Sequence, residues 1–294
     1  MKIFAVIVTY NAMYRGWIDR CMKSLSESTV PVTAIIVDNG SCDGTREHVP
    51  SAYPEAVWMP QENNLGFGQA NNLGLCYALE HQADYVLLLN QDAAISPDAI
   101  QQMLAVSDGK SLLSPLHLNG DGTRLDELFR ITLKDAHNLM NDDLLIHHTL
   151  ADCYETGEVC AACWLMPAAL LQCVGGFNPL FFHYSEDNNY YHRLVYHHIR
   201  TLIVPHAYMY HDRKLFGNQK AHDHGLVRRE LTLAACNINH SLAQRVADYL
   251  RVLFRHGLSV SFFSGITWLL LHLRSIYHSR KEERQSGLTW LNLS

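Results

Sequence analysis

Three apolar, β-branched runs, each ending in a cluster of polar residues, constrain this chain more than any other feature. Ile3 to Val8 runs into Thr9-Tyr10-Asn11, Ala34 to Val37 into Asp38-Asn39-Gly40-Ser41, and Tyr85 to Leu89 into Asn90-Gln91-Asp92. Unbroken runs of this kind suit strands buried on both faces of a parallel sheet. Between them the spacing turns helical. Ile18, Cys21, Met22 and Leu25 share one side of a helix over about 17–26, and Ala70, Leu73, Tyr77 and Ala78 one side of a helix over about 68–80. Strands alternating with helices imply right-handed crossovers. In open α/β sheets ligands bind beyond the carboxyl ends of the strands, so three polar clusters there predict one shared site.

Other elements are read from local signals. Val57 and Trp58 suggest a further short strand, Thr45 a helix cap, and Ser96-Pro97-Asp98 a helix with Ser96 as N-cap and Pro97 at its first position. Residues 111–152 read as irregular, with a turn at Gly120-Asp121-Gly122. An apolar run, Val159 to Met166, precedes a loop at Gly175-Gly176-Phe177-Asn178-Pro179. A helix over 185–196 and a short strand, Thr201 to Val204, follow, the strand stopping before Pro205. After His211 the sequence turns helical and basic.

The 294 residues carry a net charge of -6, unevenly spread. Residues 212–294 hold twelve Lys and Arg against six Asp and Glu, whereas residues 1–211 hold eleven against twenty-three. An acidic body argues against nucleic acid as partner, and a basic tail suits an anionic membrane surface. Cys160 and Cys163 have metal-type spacing, but no second pair follows at zinc-ribbon distance, so they read as core, as do Cys76 and Cys173. Cysteine usage fits a reducing compartment, and Met1 to Val8 reads as a strand rather than a leader. The expected location is cytoplasmic, at the inner face of the membrane if the tail docks there.

Single positions carry chemistry with a plainer reading beside it. Asn90-Gln91-Asp92 has the form of a D-x-D motif with Asn as its first member. One carboxylate and one amide oxygen serve a hard divalent cation whose other ligands are phosphate oxygens, but a strand-end acid also caps turns. Asp38 can accept a hydrogen bond from the imide of uracil or thymine, or close an Asx-turn. Leu65 to Asn71 imitates a dinucleotide fingerprint without following the first strand; its glycines suit a close approach of backbone to a nucleotide. Glu186-Asp187, at a helix start that favours the ionised form, suits a general base or ordinary helix-terminal charge. His211 is a metal-ligand type among 18 histidines, of which His192, His197 and His198 read as surface or structural.

Taken in order, five segments resemble the inverting glycosyltransferases of family 2, with a GT-A fold, and their rhamnosyltransferase-like branch. They are Val8-Thr9-Tyr10-Asn11; Val37 to Ser41; Asn64 to Gly68 with Asn71-Asn72-Leu73-Gly74; Leu89 to Asp92; and Val174 to Phe177 followed by Phe182, Glu186-Asp187 and Arg193. The resemblance implies an α/β fold with a mainly parallel central sheet and a helical C-terminal extension. It divides the chain into a catalytic domain over 1–212, with a nucleotide-binding half (1–110) and an acceptor half (111–212), and a basic extension over 213–294. Thr9, Tyr10, Asn11 and Asp38 would contact base and ribose, while Asn71, Gly66 and Gly68 would line the donor. Asn90 and Asp92 would flank diphosphate and metal, Mn2+ or Mg2+, with His211 completing the metal site. Asp187 would be the base, with Glu186 as runner-up. The partners would be a UDP- or dTDP-sugar and a saccharide or lipid-linked saccharide acceptor, in cell-surface polysaccharide synthesis.

Two departures stand out. The family's second acid after Glu-Asp is Asn189 here, and its Gly-Phe-Asp-Glu loop is Gly176-Phe177-Asn178-Pro179. They bear on acceptor preference. Asn90 and Asn189 keep open an impaired, sugar-nucleotide-binding homologue; a nucleotidyltransferase is the other alternative, although no glycine loop follows the first strand. Gly257 to Leu273 carries no charged side chain. It is flanked by Arg251, Arg255, Arg274, Arg280, Lys281 and Arg284, so residues 257–284 are expected either to dock at a membrane interface or to pack on the domain.

Overall fold

The computed structural model describes residues 1–133, 139–213 and 219–293. One nine-stranded sheet organises it: β1 (Ile3–Thr9), β2 (Thr33–Asp38), β3 (Val57–Pro60), β4 (Tyr85–Leu89), β5 (Ala93–Ile95), β6 (Leu112–Asn119), β7 (Tyr154–Thr156), β8 (Cys163–Pro167) and β9 (Thr201–His211). The order is β3-β2-β1-β4-β8-β6-β9-β5, with β7 beside β9. Strands β1 to β4 are mutually parallel, whereas β8, β5 and β7 pair antiparallel with their neighbours.

Both faces of the sheet are covered, which is why the strands read as unbroken apolar runs. Phe4, Val6, Ile35, Val37, Val86 and Leu88 share one core with the helices Phe67–Glu80 and Glu186–Tyr196. Ile3, Ala5, Ile7, Ile36, Leu87 and Leu89 share the other with the helices Trp17–Ser26 and Ala99–Ala105. Gly74 lets its helix cross β1 closely, since a Cβ there would stand 2.4 Å from Val6 Cγ1.

Several local expectations are corrected. The segment read as irregular contains β6, a central strand. Strand β9 runs through Pro205 to His211, because its register against β6 shifts between Pro115 and Leu116 and the proline falls in that irregularity, where no ladder N–H is needed. Ser96 does not cap a helix; its hydroxyl donates to Asp98 Oδ1 and the helix begins at Ala99. Thr45 is the first helical residue rather than a cap, its hydroxyl donating to Asp43.

The C-terminal region forms four helices, Gln219–Cys236, Leu242–His256, Val260–Leu271 and Leu273–Glu283, around Leu231, Val252, Phe262, Leu269 and Ile276. Among the described residues no helix is long and apolar enough to cross a membrane. The chain then returns to the main body: Gly287 N donates to Cys173 O (2.9 Å) in the helix Ala168–Val174, Gly176 N to Thr289 O (2.8 Å), and Leu291 is buried in the main core. Part of the segment beyond residue 212 is thus packed into that core.

A buried polar junction fixes this return. Asn178 Nδ2 donates to Ser279 Oγ and Glu283 Oε1, both at 2.7 Å. The Asn189 side chain acts on the same carboxylate. Arg193, fully buried, donates to the carbonyls of Val174 and Gly176. Burial pushes the Glu283 carboxyl up, while Arg193 and the two amides pull it down. An acid at position 178 would set two carboxylates against each other without water. Asn178→Asp should therefore cost about 3–5 kcal/mol in urea unfolding, and Glu283→Gln in the same chain should recover most of it. Additive losses in the double variant would show that the two side chains do not interact.

Candidate active site

Four consecutive backbone N–H groups after β1 are held by side chains from elsewhere in the chain. Tyr10 N donates to Gln91 Oε1 (2.8 Å), Asn11 N to Ser41 Oγ (2.9 Å), Ala12 N to Thr45 Oγ1 (2.9 Å) and Met13 N to Asp43 Oδ2 (3.0 Å). Gln91 Nε2 returns a bond to Tyr10 O (3.1 Å). Asn11 adopts a left-handed backbone, φ 52°, which asparagine tolerates, and its Oδ1 accepts from Cys42 N (3.0 Å). Loops from β1, β2 and β4 are thereby one rigid unit, and the Tyr10 ring stands exposed upon it.

Several of the residues expected to face a ligand also bond within the chain. Thr9 and Asp38 have no exposed surface. The Thr9 hydroxyl donates to Asp38 Oδ1 (3.1 Å), while Ser41 N and Arg46 Nε donate to Oδ2 (3.2 and 3.0 Å). In this conformation Asp38 ties the end of β1 to the loop and the helix that follow β2. Asn71 is buried and bonds Phe67 O in its own helix (2.9 Å). Gly66 and Gly68 also meet the chain closely: a Cβ at Gly66 would lie 2.0 Å from Phe182 O, and at Gly68 2.8 Å from Phe177 Cβ. Gly66 also has φ +83°, the left-handed region. Both glycines let the start of the helix Phe67–Glu80 pack against residues 177–182.

Asp92 and His211 are brought together as expected. They lie 119 positions apart, yet antiparallel pairing of β5 with β9 sets Ala93 opposite His211, and Asp212 N donates to Asp92 O (2.9 Å). His211 Nε2 is 3.2 Å from Asp92 Oδ1. Asn90 lies half-buried two residues before Asp92. Behind the histidine, Asp126 Oδ2 stands 3.8 Å from Nδ1, beyond hydrogen-bond length, and accepts from Arg213 Nε (2.6 Å). Burial alone would raise the Asp126 carboxyl; Arg213 and the Phe129 N–H hold it below its usual range. Asp212 anchors the end of β9, accepting from Trp17 Nε1 (3.1 Å) and Arg20 Nη1 (3.3 Å).

Among the described residues, no group of three His, Cys, Asp or Glu side chains forms a closed metal site. The residues present nevertheless fit a divalent cation shared with a phosphate ligand. One carboxylate and one imidazole face each other, and the His211 Nδ1 is buried with no hydrogen-bond partner, directed toward a second carboxylate. A carboxylate behind a ligating histidine is the usual outer-shell arrangement.

Glu186 and Asp187 open the helix Glu186–Tyr196 after two successive left-handed residues, Tyr184 (φ 65°) and Ser185 (φ 69°). Such backbone costs energy for residues other than glycine and clusters at functional sites. Glu186 is buried with Oε2 unpartnered; burial, and then the charge of Asp187, push its carboxyl up to about 8. Asp187 is half-buried, and burial raises its carboxyl as well. Backbone N–H groups of Asn188 and Ala161 and the charge of Arg213 act the other way, favouring the ionised form. Both carboxyls of the pair are thus pushed up, chiefly by burial, and the pair resists carrying two negative charges.

Arg213 is the group that the sequence did not single out. Its charge acts on Asp187, Asp126 and Asp92, so it links the acid pair to the Asp92–His211 pair. Beside it Cys160, pushed up to about 12 by burial, is a packed thiol, 3.4 Å from His117 Nδ1. Gln91 was also overlooked. The one signal for either was adjacency, Gln91 inside the Asn90–Asp92 motif and Arg213 two residues after His211.

The profile of Glycosyl transferase family 2 matches residues 4–173. An N-acetylglucosaminyl-diphospho-decaprenol L-rhamnosyltransferase of Mycobacterium tuberculosis is 25% identical over 232 residues, covering 71% of this chain and 75% of that protein. The O-antigen chain rhamnosyltransferase WbaN of Salmonella anatum is 29% identical over 114 residues, 38% of this chain and 35% of its own length. Among solved structures, residues 1–349 of S. aureus TarS in complex with UDP-GlcNAc superpose with a TM-score of 0.58 at 16% identity, covering 97% of this chain and 90% of that one. A mannosyltransferase from Pyrobaculum calidifontis, with GDP-Man and Mn2+, gives a TM-score of 0.58 at 14% identity over 95% of this chain and 84% of that one. These superpositions establish the GT-A fold.

The Glu186 carboxyl makes stability depend on pH. Its pKa is raised on folding, so the folded state keeps a proton that the unfolded chain has released above the usual carboxylate range. The contribution is therefore fully present below about 4.5 and is lost as pH rises toward about 8. Glu186→Gln should raise the melting temperature more above pH 8 than at pH 5, by ~2–4 °C for each kcal/mol recovered. An equal change at both pH values would mean that Glu186 is not buried as a neutral acid.

Proposed function

The chain belongs to glycosyl transferase family 2 and is a glycosyltransferase; we propose that it moves a sugar from a UDP- or dTDP-linked donor to the hydroxyl of a saccharide, or of a lipid-linked saccharide, with inversion. One observation carries this reading: β5–β9 pairing brings Asp92 to His211, and Arg213, two residues on, lends its charge both to Asp92 and to Asp187 of the acid pair. The impaired-homologue and nucleotidyltransferase readings are not favoured. The relatives are sugar transferases, and Asn178 and Asn189 have a structural explanation in Glu283. Those relatives, acting on a diphospho-decaprenol and in O-antigen synthesis, motivate polysaccharide assembly as the setting.

In this reading Tyr10 stacks on the base and Asn11 faces the ribose, while Thr9 and Asp38 keep that loop rigid. Asp92 and His211, with Asn90 beside them, would hold Mn2+ or Mg2+. When bound, the cation neutralises charge on the leaving diphosphate. Asp187 accepts the proton of the acceptor hydroxyl as its oxygen forms a bond to the anomeric carbon. The bond from that carbon to the diphosphate oxygen breaks, and its electron pair leaves with the nucleoside diphosphate. A single in-line displacement inverts the anomeric centre. Glu186, protonated, keeps a second negative charge away from Asp187.

Product formation from UDP- and dTDP-sugars, read alongside calorimetry of nucleotide binding with and without Mn2+, tests the assignment. Asp187→Asn should lower turnover ~10²–10⁴-fold with nucleotide affinity preserved. Asp92→Ala should remove the Mn2+-dependent part of nucleotide binding. Equal loss of affinity in both variants, or a large rate effect only in Glu186→Gln, would overturn the roles given to these acids.

We assign the C-terminal helices to an anionic membrane surface. Val260–Leu271 buries Phe262, Gly265 and Leu269 against the domain but exposes Val260, Phe263, Leu270 and Leu271. Leu242–His256 exposes Leu242, Val246, Leu250 and Phe254, spaced by four along one face. Apolar stripes beside Arg251, Arg255, Arg274 and Lys281 suit interfacial docking. Arg280 and Arg284, expected among these basic flanks, instead donate to the carbonyls of Ala235, Asn237, Ile238 and His240. The protein should float with anionic liposomes at low salt, and Leu250→Glu with Phe254→Glu should leave it in the pellet. Flotation unchanged by those substitutions would exclude this face.

A further inference from the structure

The loop that leads into Glu186 is also one wall of a cleft of about 440 Å³. Leu180 to Tyr184 form that wall, and Arg228, Arg229 and Thr232 with Trp268 form the other. Arg229 stands 5.1 Å over the Tyr184 ring and Arg228 5.9 Å over the Trp268 indole. The acid next in sequence is already engaged: Glu230 accepts from Arg255 (2.7 Å) and lies 3.0 Å from His256. Arg228 and Arg229 follow each other in one helix and both line the cleft; burial, and then the charge of Arg228, lowers the pKa of Arg229, while Tyr184, Glu186 and Glu230 act the other way. Guanidiniums match phosphate oxygens by geometry.

The cleft adjoins the acid pair along the chain: its wall residue Tyr184 lies two positions before Glu186, whose carboxyl feels the charge of Arg229. Phe182 O accepts from Phe67 N (3.2 Å) at the glycine loop. Its far side, at Trp268, belongs to the helix whose outer face exposes Phe263, Leu270 and Leu271. Charge lies near the acids, aromatic surface along the walls, and apolar surface outside. A ligand that follows this gradient has an anionic group close to the reacting hydroxyl and a hydrocarbon chain leading away.

The geometry points to this cleft as the acceptor subsite for a polyprenyl diphosphate, its diphosphate between Arg228 and Arg229 and its first isoprenoid carbons against Phe182, Tyr184 and Trp268. The inference rests on the reading of the chain as a transferase to lipid-linked saccharides, and it adds where the lipid-linked end is gripped. Arg229 acts on Glu186, but Arg228 is not among the donor or proton-transfer groups named above, so the two sites are separable through Arg228.

The test is calorimetric titration of the full chain with farnesyl diphosphate, with UDP and Mn2+ present in excess to fill the donor site. The expected result is saturable binding, weakened roughly 10–100-fold by Arg228→Ala and less by Arg228→Lys, with UDP affinity and thermal unfolding unchanged. Farnesol and inorganic pyrophosphate should each bind at least ~10-fold more weakly than farnesyl diphosphate. Absence of farnesyl diphosphate binding, equal binding by Arg228→Ala, or displacement by excess UDP would overturn the subsite. So would pyrophosphate binding as tight as that of farnesyl diphosphate, which would mark a phosphate site with no role for the chain. UDP binding retained in those cases would leave the transferase reading standing, whereas its loss in the unmodified protein would remove both.

Discussion

Strand β9 pairs with three partners at once, and the site depends on that pairing. Its first residues lie against β7, its length runs beside β6, and its last three residues meet β5. The last contact sets His211 opposite Ala93 and so brings the imidazole to Asp92. The residues just beyond the strand end, Asp212 and Arg213, then reach in opposite directions, one to Trp17 and Arg20, the other to Asp126. A ladder of backbone bonds thus positions a chain of charges with little freedom to rearrange, as a charge-stabilising site requires.

The departures from the family pattern have a common cause. Asn178 and Asn189, where relatives of this type carry acids in the pattern the sequence resembles, both act on the carboxylate of Glu283. A buried acid is stable only with donors around it, and an amide supplies them where a carboxylate does not. Asn178 thereby ties the loop after residue 174 to the acid on the last helix.

Much of the fold was legible in the sequence because burial on both faces leaves strands as unbroken apolar runs, and β1, β2 and β4 are of that type. Strand β6 was missed because Ser114, Pro115 and His117 interrupt its apolar pattern, although Ser114 and His117 satisfy each other inside the core. Strand β9 was cut short at Pro205 because only tertiary pairing reveals an irregular register. At the site, Asp92, His211 and the Glu186–Asp187 pair could be named because each sits at an element boundary with a recognisable motif. Thr9, Asp38 and Asn71 bond within the chain, which the sequence could not show, since a polar side chain at a strand end or in a helix looks the same whether its partner is a loop or a nucleotide. Arg213 carried no motif, and its role appears only when Asp126, far back in the sequence, folds beneath it.

The return of residues 287–291 to the main body has a consequence for the order of assembly. Gly175 can carry no side chain, because Thr289 O would lie 2.1 Å from its Cβ, and Leu291 occupies a place in the main core. During synthesis from the amino terminus, the sheet and its helices emerge with that place still empty and Val174 uncovered. The nascent chain is committed to a topology well before it can complete it, since the residues that seal the core follow almost the whole of the sequence. Until they leave the ribosome, the half-made enzyme exposes a hydrophobic seam to chaperones and to other nascent chains.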